Sequence, residues 1–246
     1  MCILEYRNGD FFMFFSAYGM IVKAIYTFFQ TLIYVVPALL IAISMHEFAH
    51  GYMSYLLGDP TPKMDGRLTL NPFRHLDVWG TLCLLVFHVG WAKPIRVNTR
   101  NYKNKRRDMI LVAAAGPLMN FILAFLFMLL YGLIYKFGTS GVLLNYLYVL
   151  SYYGAQLNVG LGVFNLIPVP PLDGANILAE IVPAVNRFYS RFRQYGWLIL
   201  LLLLGTRVLY VPMEALMSAI LSVLKNVVWF ILRIGVVVGS GGGTVL

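Results

Sequence analysis

The sequence predicts an all-α polytopic membrane protein of about six transmembrane helices, interrupted by a re-entrant or strand-like segment around residues 78–98. Three observations carry this reading. Of 246 residues, 60% are hydrophobic and 12% charged, and the apolar residues gather in runs long enough to cross a bilayer. The net charge of +9 gathers between those runs. Residues 58–108 hold ten Lys/Arg (63, 67, 74, 93, 96, 100, 103, 105, 106, 107) against four Asp (59, 65, 77, 108), as in a cytoplasmic loop and not a nucleic-acid-binding surface. Finally, with only Cys2 and Cys83, there is neither a disulfide framework nor a cysteine metal site.

The elements follow in order. Phe11–Phe29 is apolar and aromatic but broken by Lys23, and reads as a first span or an interfacial helix. Gln30–Leu57 is the second span; Pro37 should kink it or mark its effective start, and Gly58-Asp59-Pro60 should stop it. Val78–Ala92 is apolar but too short to span comfortably, and a strand-like Lys93–Val97 follows it. Such backbone is tolerated at membrane depth only against protein or a water-filled cavity. Met109–Tyr135 and Val142–Ile167 are spans, and the second runs into a proline-rich break ending in Asp173-Gly174. Ala175–Arg193 looks amphipathic, and Trp197–Leu204 and Pro212–Leu232 complete the hydrophobic set. No signal peptide is expected, because a basic n-region and a small-residue cleavage site are both missing. Residues 1–238 read as one domain with its core at 31–180, and glycine-rich 239–246 as a flexible tail or fusion remnant.

The charge rule also sets direction. With 58–108 cytoplasmic, the Gln30–Leu57 helix runs inward and the Val142 helix returns Asp173 to the same side. His46, eleven residues before Leu57, then lies roughly 16 Å from that end.

His46-Glu47-Phe48-Ala49-His50 carries the chemistry. On a helix, HExxH sets two imidazoles one turn apart on one face, suited to a shared Zn²⁺, with the glutamate beside them as general base. Three ionisable groups in hydrocarbon must face a protein interior or a cavity. A catalytic zinc needs a third protein ligand. His75, flanked by Arg74 and Asp77, reads as a solvated loop residue, and His88 as a buried histidine more than a ligand. Asp173 is the better candidate, being the only acid between Asp108 and Glu180 and lying beside a break that frees it from helical direction. A capping role in a Pro-Leu-Asp-Gly turn fits the spacing equally well. Asn120 reads chiefly as an interhelical packing contact, with a catalytic contribution as the alternative. Lys93–Val97 is open between a strand that pairs with an unwound substrate and an ordinary surface segment.

The chain resembles the site-2 protease family of intramembrane zinc metalloproteases. The resemblance rests on His46–Gly51, Gly66-Arg-Leu-Thr-Leu-Asn-Pro72, Gly90-Trp-Ala-Lys-Pro94, Ala113-Ala-Ala-Gly-Pro-Leu-Met-Asn120 and Phe164-Asn-Leu-Ile-Pro-Val-Pro-Pro-Leu-Asp-Gly174, in family order across roughly residues 40–180. It implies one Zn²⁺ per chain held by His46, His50 and Asp173, with Glu47 activating the water. It further implies that Asn165 positions substrate or steadies the oxyanion. The implied substrates are single-pass membrane proteins cut in or near their transmembrane helices. The implied place is a cell membrane, with the active site toward the cytoplasm, in a minimal member without PDZ or CBS domains. The rival class is a polytopic transporter or metal-permeation protein, but such folds pair repeats, and the second half holds no counterpart of HExxH.

Overall fold

A computed structural model of the chain describes residues 8–77, 80 and 93–234. The expected segment 78–92 lies outside these residues except for Gly80, as do His88, Cys83 and the 239–246 tail. The molecule is all-α. Its first helix, α1 (Asn8–Leu56, 49 residues), runs unbroken through both of the first two expected spans. Pro37 lies inside it without ending it. A proline has no N–H for the carbonyl one turn back, here that of Ile33. Tyr146 fills the gap, donating its hydroxyl to the Ile33 carbonyl at 3.2 Å from a neighbouring helix.

The stop at Gly58-Asp59 is as expected. Gly58 adopts φ +103°, and the Gly58 and Asp59 amides donate to the carbonyls of Tyr55 and Ser54. This glycine-dependent C-terminal closure satisfies the last helical acceptors. A single turn, α2 (Thr61–Met64), follows.

Helix α3 (Lys105–Phe137) is capped by Asn104, whose side chain accepts from the Arg107 amide while Asp108 accepts from the Asn104 amide. Among the described residues the later helices are α4 (Val142–Asn165), α5 (Asp173–Ile181), α6 (Pro183–Phe192), α7 (Gly196–Gly205) and α8 (Tyr210–Ile231).

Among the described residues, three helices are long and apolar enough to cross a membrane: Tyr26–Leu56, α3 and α8. These three stand, by length and apolarity, among the about six spans that the sequence leads one to expect. Phe11–Phe29 is no separate element, because nothing after it breaks the helix. Trp197–Leu204 falls within a ten-residue helix, about half the length a bilayer needs. Helix α4 has the length, with 24 residues, but Asn145, Ser151, Gln156 and Asn158 dilute its apolar character.

Two of these, Ser151 and Asn158, are fully buried, as suits its position. Helices α3 and α4 pack against each other at the centre, α1 packs on both, α5 on α3, and α8 on α4 and α3. Small residues let the backbones approach: Ala38, Ala42, Ala113, Ala124 and Ala155 are buried. The Phe127 ring lies over Gly154, where an added Cβ would come within 2.7 Å of it. Met213, Met217 and Leu221 of α8 cover Ala124, Val159 and Val163.

Candidate metal centre

Helical spacing on α1 stacks His46 and His50 on one face, with ring centroids 4.6 Å apart and planes nearly perpendicular. Their Nε2 atoms are 3.0 Å apart. Asp173, the first residue of α5, reaches them from the other end of the sequence. Its Oδ2 lies 3.3 Å from Nε2 of His46 and 3.2 Å from Nε2 of His50. Gly174 permits this approach, since a Cβ there would overlap the Leu166 carbonyl and come within 2.7 Å of the Ile167 oxygen.

Hydrogen bonds fix the protons. His50 Nδ1 is 2.7 Å from the Val112 carbonyl, which can only accept, so Nδ1 carries the hydrogen. Asn120 donates its amide nitrogen to the Ala42 carbonyl and to Asn158 Oδ1, which turns Asn120 Oδ1 toward His46 Nδ1 at 2.6 Å. His46 is thus protonated on Nδ1 as well. Both Nε2 lone pairs and Asp173 Oδ2 then converge as three acceptors with no donor between them, and Oδ2 is buried without a hydrogen-bond partner. Such a triangle calls for a cation.

The donor set fits Zn²⁺. Ligands about 2.0–2.1 Å from a tetrahedral zinc stand ~3.3 Å from one another, close to the edges seen here. Three protein ligands leave a fourth position for water. Helix α3 closes one side through Gly116: a Cβ at this position would overlap His50 Nε2 and come within 2.6 Å of His46 Cε1. Among the described residues, His46, His50 and Asp173 form a group of three metal-ligating side chains close enough for one ion.

Glu47, next on α1, accepts the Ile95 amide on Oε2 at 3.2 Å. Ile95 belongs to segment 93–98, which is neither helix nor strand and whose position is set at both ends. The Lys93 amide donates to the His75 carbonyl, and the Asn98 amide to Asp59 Oδ2 at 2.7 Å. Asp59 is fully buried and also accepts from Ser54, Thr61 and Asn101. Burial opposes ionisation of this carboxyl, but the Thr61, Asn98 and Asn101 donors outweigh it and hold its pKa below the usual value. The C-terminus of α1 and segment 93–98 are thereby tied to one charge.

Each sequence-derived candidate now has a location. His46, His50 and Asp173 come together, with Glu47 beside them. Asn165 is half-buried at the end of α4 and donates to the Leu161 carbonyl on its own helix at 3.0 Å. His75 is not the solvated residue expected: it is fully buried, donating Nε2–H to the Thr69 carbonyl at 2.8 Å, because the 69–76 loop folds over it. Asn120 does make interhelical bonds, to the Ala42 carbonyl, to Asn158 and to His46 of the triangle.

Sequence reasoning missed Asn158, the Val112 carbonyl and Arg106. Asn158 carried a signal in being an amide within an apolar run. Arg106 read only as one of the ten cations of the 58–108 loop, yet its guanidinium donates to the carbonyls of Glu180 and Ile181, the last of α5. That clamp holds the short helix that carries Asp173.

A sequence profile described as "Peptidase family M50" matches residues 34–138 and 134–205, more than half of the chain and all the residues of the triangle. The chain belongs to peptidase family M50. A Bacillus subtilis (strain 168) protein named "Putative zinc metalloprotease YwhC" is 39% identical over 201 residues, covering 79% of this chain and 92% of that protein. Rip2 of Mycolicibacterium smegmatis, named in the same terms, is 31% identical over 181 residues, 71% of this chain and 67% of its own length. The Methanocaldococcus jannaschii protein MJ0611, likewise so named, is 42% identical over 67 residues, 27% of this chain and 31% of that protein. No solved structure matches. Membership of the M50 family lends no support to the transporter alternative.

Proposed function

We infer that this zinc metalloprotease of the M50 family hydrolyses peptide bonds within the membrane, in or near the transmembrane helices of single-pass proteins. The observation that carries the reading is the convergence of His46 Nε2, His50 Nε2 and Asp173 Oδ2 on one point of a helix apolar enough to span a bilayer. These three residues hold one Zn²⁺ per chain. When bound, zinc supplies Lewis acidity toward a water and the scissile carbonyl.

The protein residues divide the remaining work. Glu47 takes the proton from the attacking water and returns it to the leaving amine. Its bond to the Ile95 amide steadies the carboxylate. Asn165 turns from Leu161 to offer its amide to substrate or to the developing oxyanion. Segment 93–98 lies beside Glu47, and an unwound substrate helix pairs along it. The charge of 58–108 sets the centre toward the cytoplasmic face of a cell membrane.

The test is cleavage of a model transmembrane substrate by purified protein in bilayers. Glu47→Gln should abolish cleavage and retain zinc; equal cleavage by wild type and variant would reject the mechanism. In the same assay Ile95→Pro, which lacks the amide, should cut the rate at least tenfold, a loss of about 1.4 kcal/mol in transition-state stabilisation. A folded Ile95→Pro protein with wild-type cleavage removes the pairing role.

A further inference from the structure

We propose that Asn158, in the middle of α4, is a positioning residue for the metal centre, holding the Asn120 amide in the one orientation that leaves His46 Nε2 free of a proton. An asparagine amide presents an acceptor on one side and two donors on the other, and exchanging them costs little unless neighbours object. Turned over, Asn120 would point its NH₂ group at His46 Nδ1. The imidazole would then carry its hydrogen on Nε2, in the 3.0–3.3 Å triangle with His50 and Asp173. That proton occupies the lone pair a metal needs.

The neighbours do object. Asn120 Nδ2 has two acceptors, Ala42 O at 3.3 Å and Asn158 Oδ1 at 3.0 Å. Of the two, the Asn158 bond is the shorter. Asn158 cannot turn over either, because its own Nδ2 donates to the Gly154 carbonyl one helical turn back at 2.8 Å. Direction therefore passes from a backbone carbonyl of α4 through two amides to a histidine on α1. Asn120 and Asn158 are fully buried, so water cannot replace a missing partner. An asparagine that merely glued α3 to α4 would need one interhelical bond of either polarity. The arrangement here has a fixed sense.

The proposal rests on His46 being a zinc ligand, and the experiment separates the two. Zinc affinity of the full-length protein in detergent is measured by competition with a chelator. His46→Ala should lose zinc binding; if it does not, the ligand assignment fails before the relay is considered. Asn158→Ala should weaken zinc ~10–100-fold, the usual effect of removing an outer partner of a ligand. Asn158→Asp, which keeps an acceptor facing Asn120, should recover most of that loss. In an Asn120→Ala background, Asn158→Ala should change affinity less than about twofold, because the chain is already cut.

Nitrogen NMR of the imidazoles in zinc-free protein gives a readout independent of metal loading. Wild type should show His46 protonated on Nδ1, and Asn158→Ala a mixture of tautomers. Equal weakening in both backgrounds, or unchanged affinity and unchanged tautomer in Asn158→Ala, overturns the proposal. If Asn158→Ala does not fold, Asn158→Ser supplies the same comparison, since its shorter side chain cannot make both bonds.

Discussion

Single atoms decide whether the centre can bind metal. The histidine pair is set by helical spacing, but its usefulness depends on where each imidazole keeps its hydrogen. The Val112 carbonyl and Asn120 Oδ1 draw both hydrogens outward, leaving two lone pairs and a carboxylate oxygen facing inward. Gly116 matters for the opposite reason, through what it lacks. Gly116→Ala should push both rings out of register and reduce bound zinc to well under half of wild type, read by metal analysis of the purified protein. Bound zinc at the wild-type level in that variant would show that α3 can retreat without cost. Legibility at this scale was uneven. His46, Glu47 and His50 form a recognisable pattern because their spacing is local. Asn120 was read as a packing residue because its partner lies 74 positions away.

Short elements do much of the positioning. Helix α5 has nine residues, too few to be stable from its own hydrogen bonds, yet it presents Asp173. Its start is closed against Leu166–Ile167 through Gly174, and its end is held by Arg106 on α3. Arg106→Ala should loosen α5, lowering zinc affinity about tenfold and speeding amide exchange across 175–181 without altering exchange in α3. Unchanged exchange in α5 would assign the helix's stability to packing alone. Segment 93–98 is held in a similar way, by Asp59 at one end and His75 at the other. The pattern at 93–97 reads as strand-like in the sequence, whereas the folded segment is neither helix nor strand. Its docking against Glu47 was not visible there, because one backbone amide has no sequence signature.

For the molecule as a whole, the central pair α3–α4 orders everything else. Helix α1 lies on it with the histidines inward, α5 closes the metal side, and α8 covers α4 and α3. Of the polar residues that make α4 a poor candidate for a free-standing span, Ser151 and Asn158 are buried, and Asn158 bonds to α3 through Asn120. Orientation is the prediction proper to this scale. Single cysteines at Lys103 and Ser140, placed in a Cys2→Ser, Cys83→Ser background, should label from opposite faces of sealed vesicles, Lys103 from the cytoplasmic face. Labelling of both from one side would overturn the topology read from charge.

The sequence by itself determined the all-α membrane class and the candidacy of His46, Glu47, His50 and Asp173 for a metal centre, since composition, helical periodicity and local spacing are properties of a chain read in order. It could not decide how many helices the apolar runs become, because Pro37 is tolerated only when Tyr146 from another helix accepts the task of its missing N–H. Nor could it decide between Asp173 as turn residue and Asp173 as ligand. The approach of Asp173 to the two imidazoles depends on Gly174 and Arg106 folding α5 back onto α1 and α3. The protonation of the histidines belongs wholly to tertiary structure: it is set by Val112, Asn120 and Asn158, groups from two other helices that meet α1 only when the bundle closes.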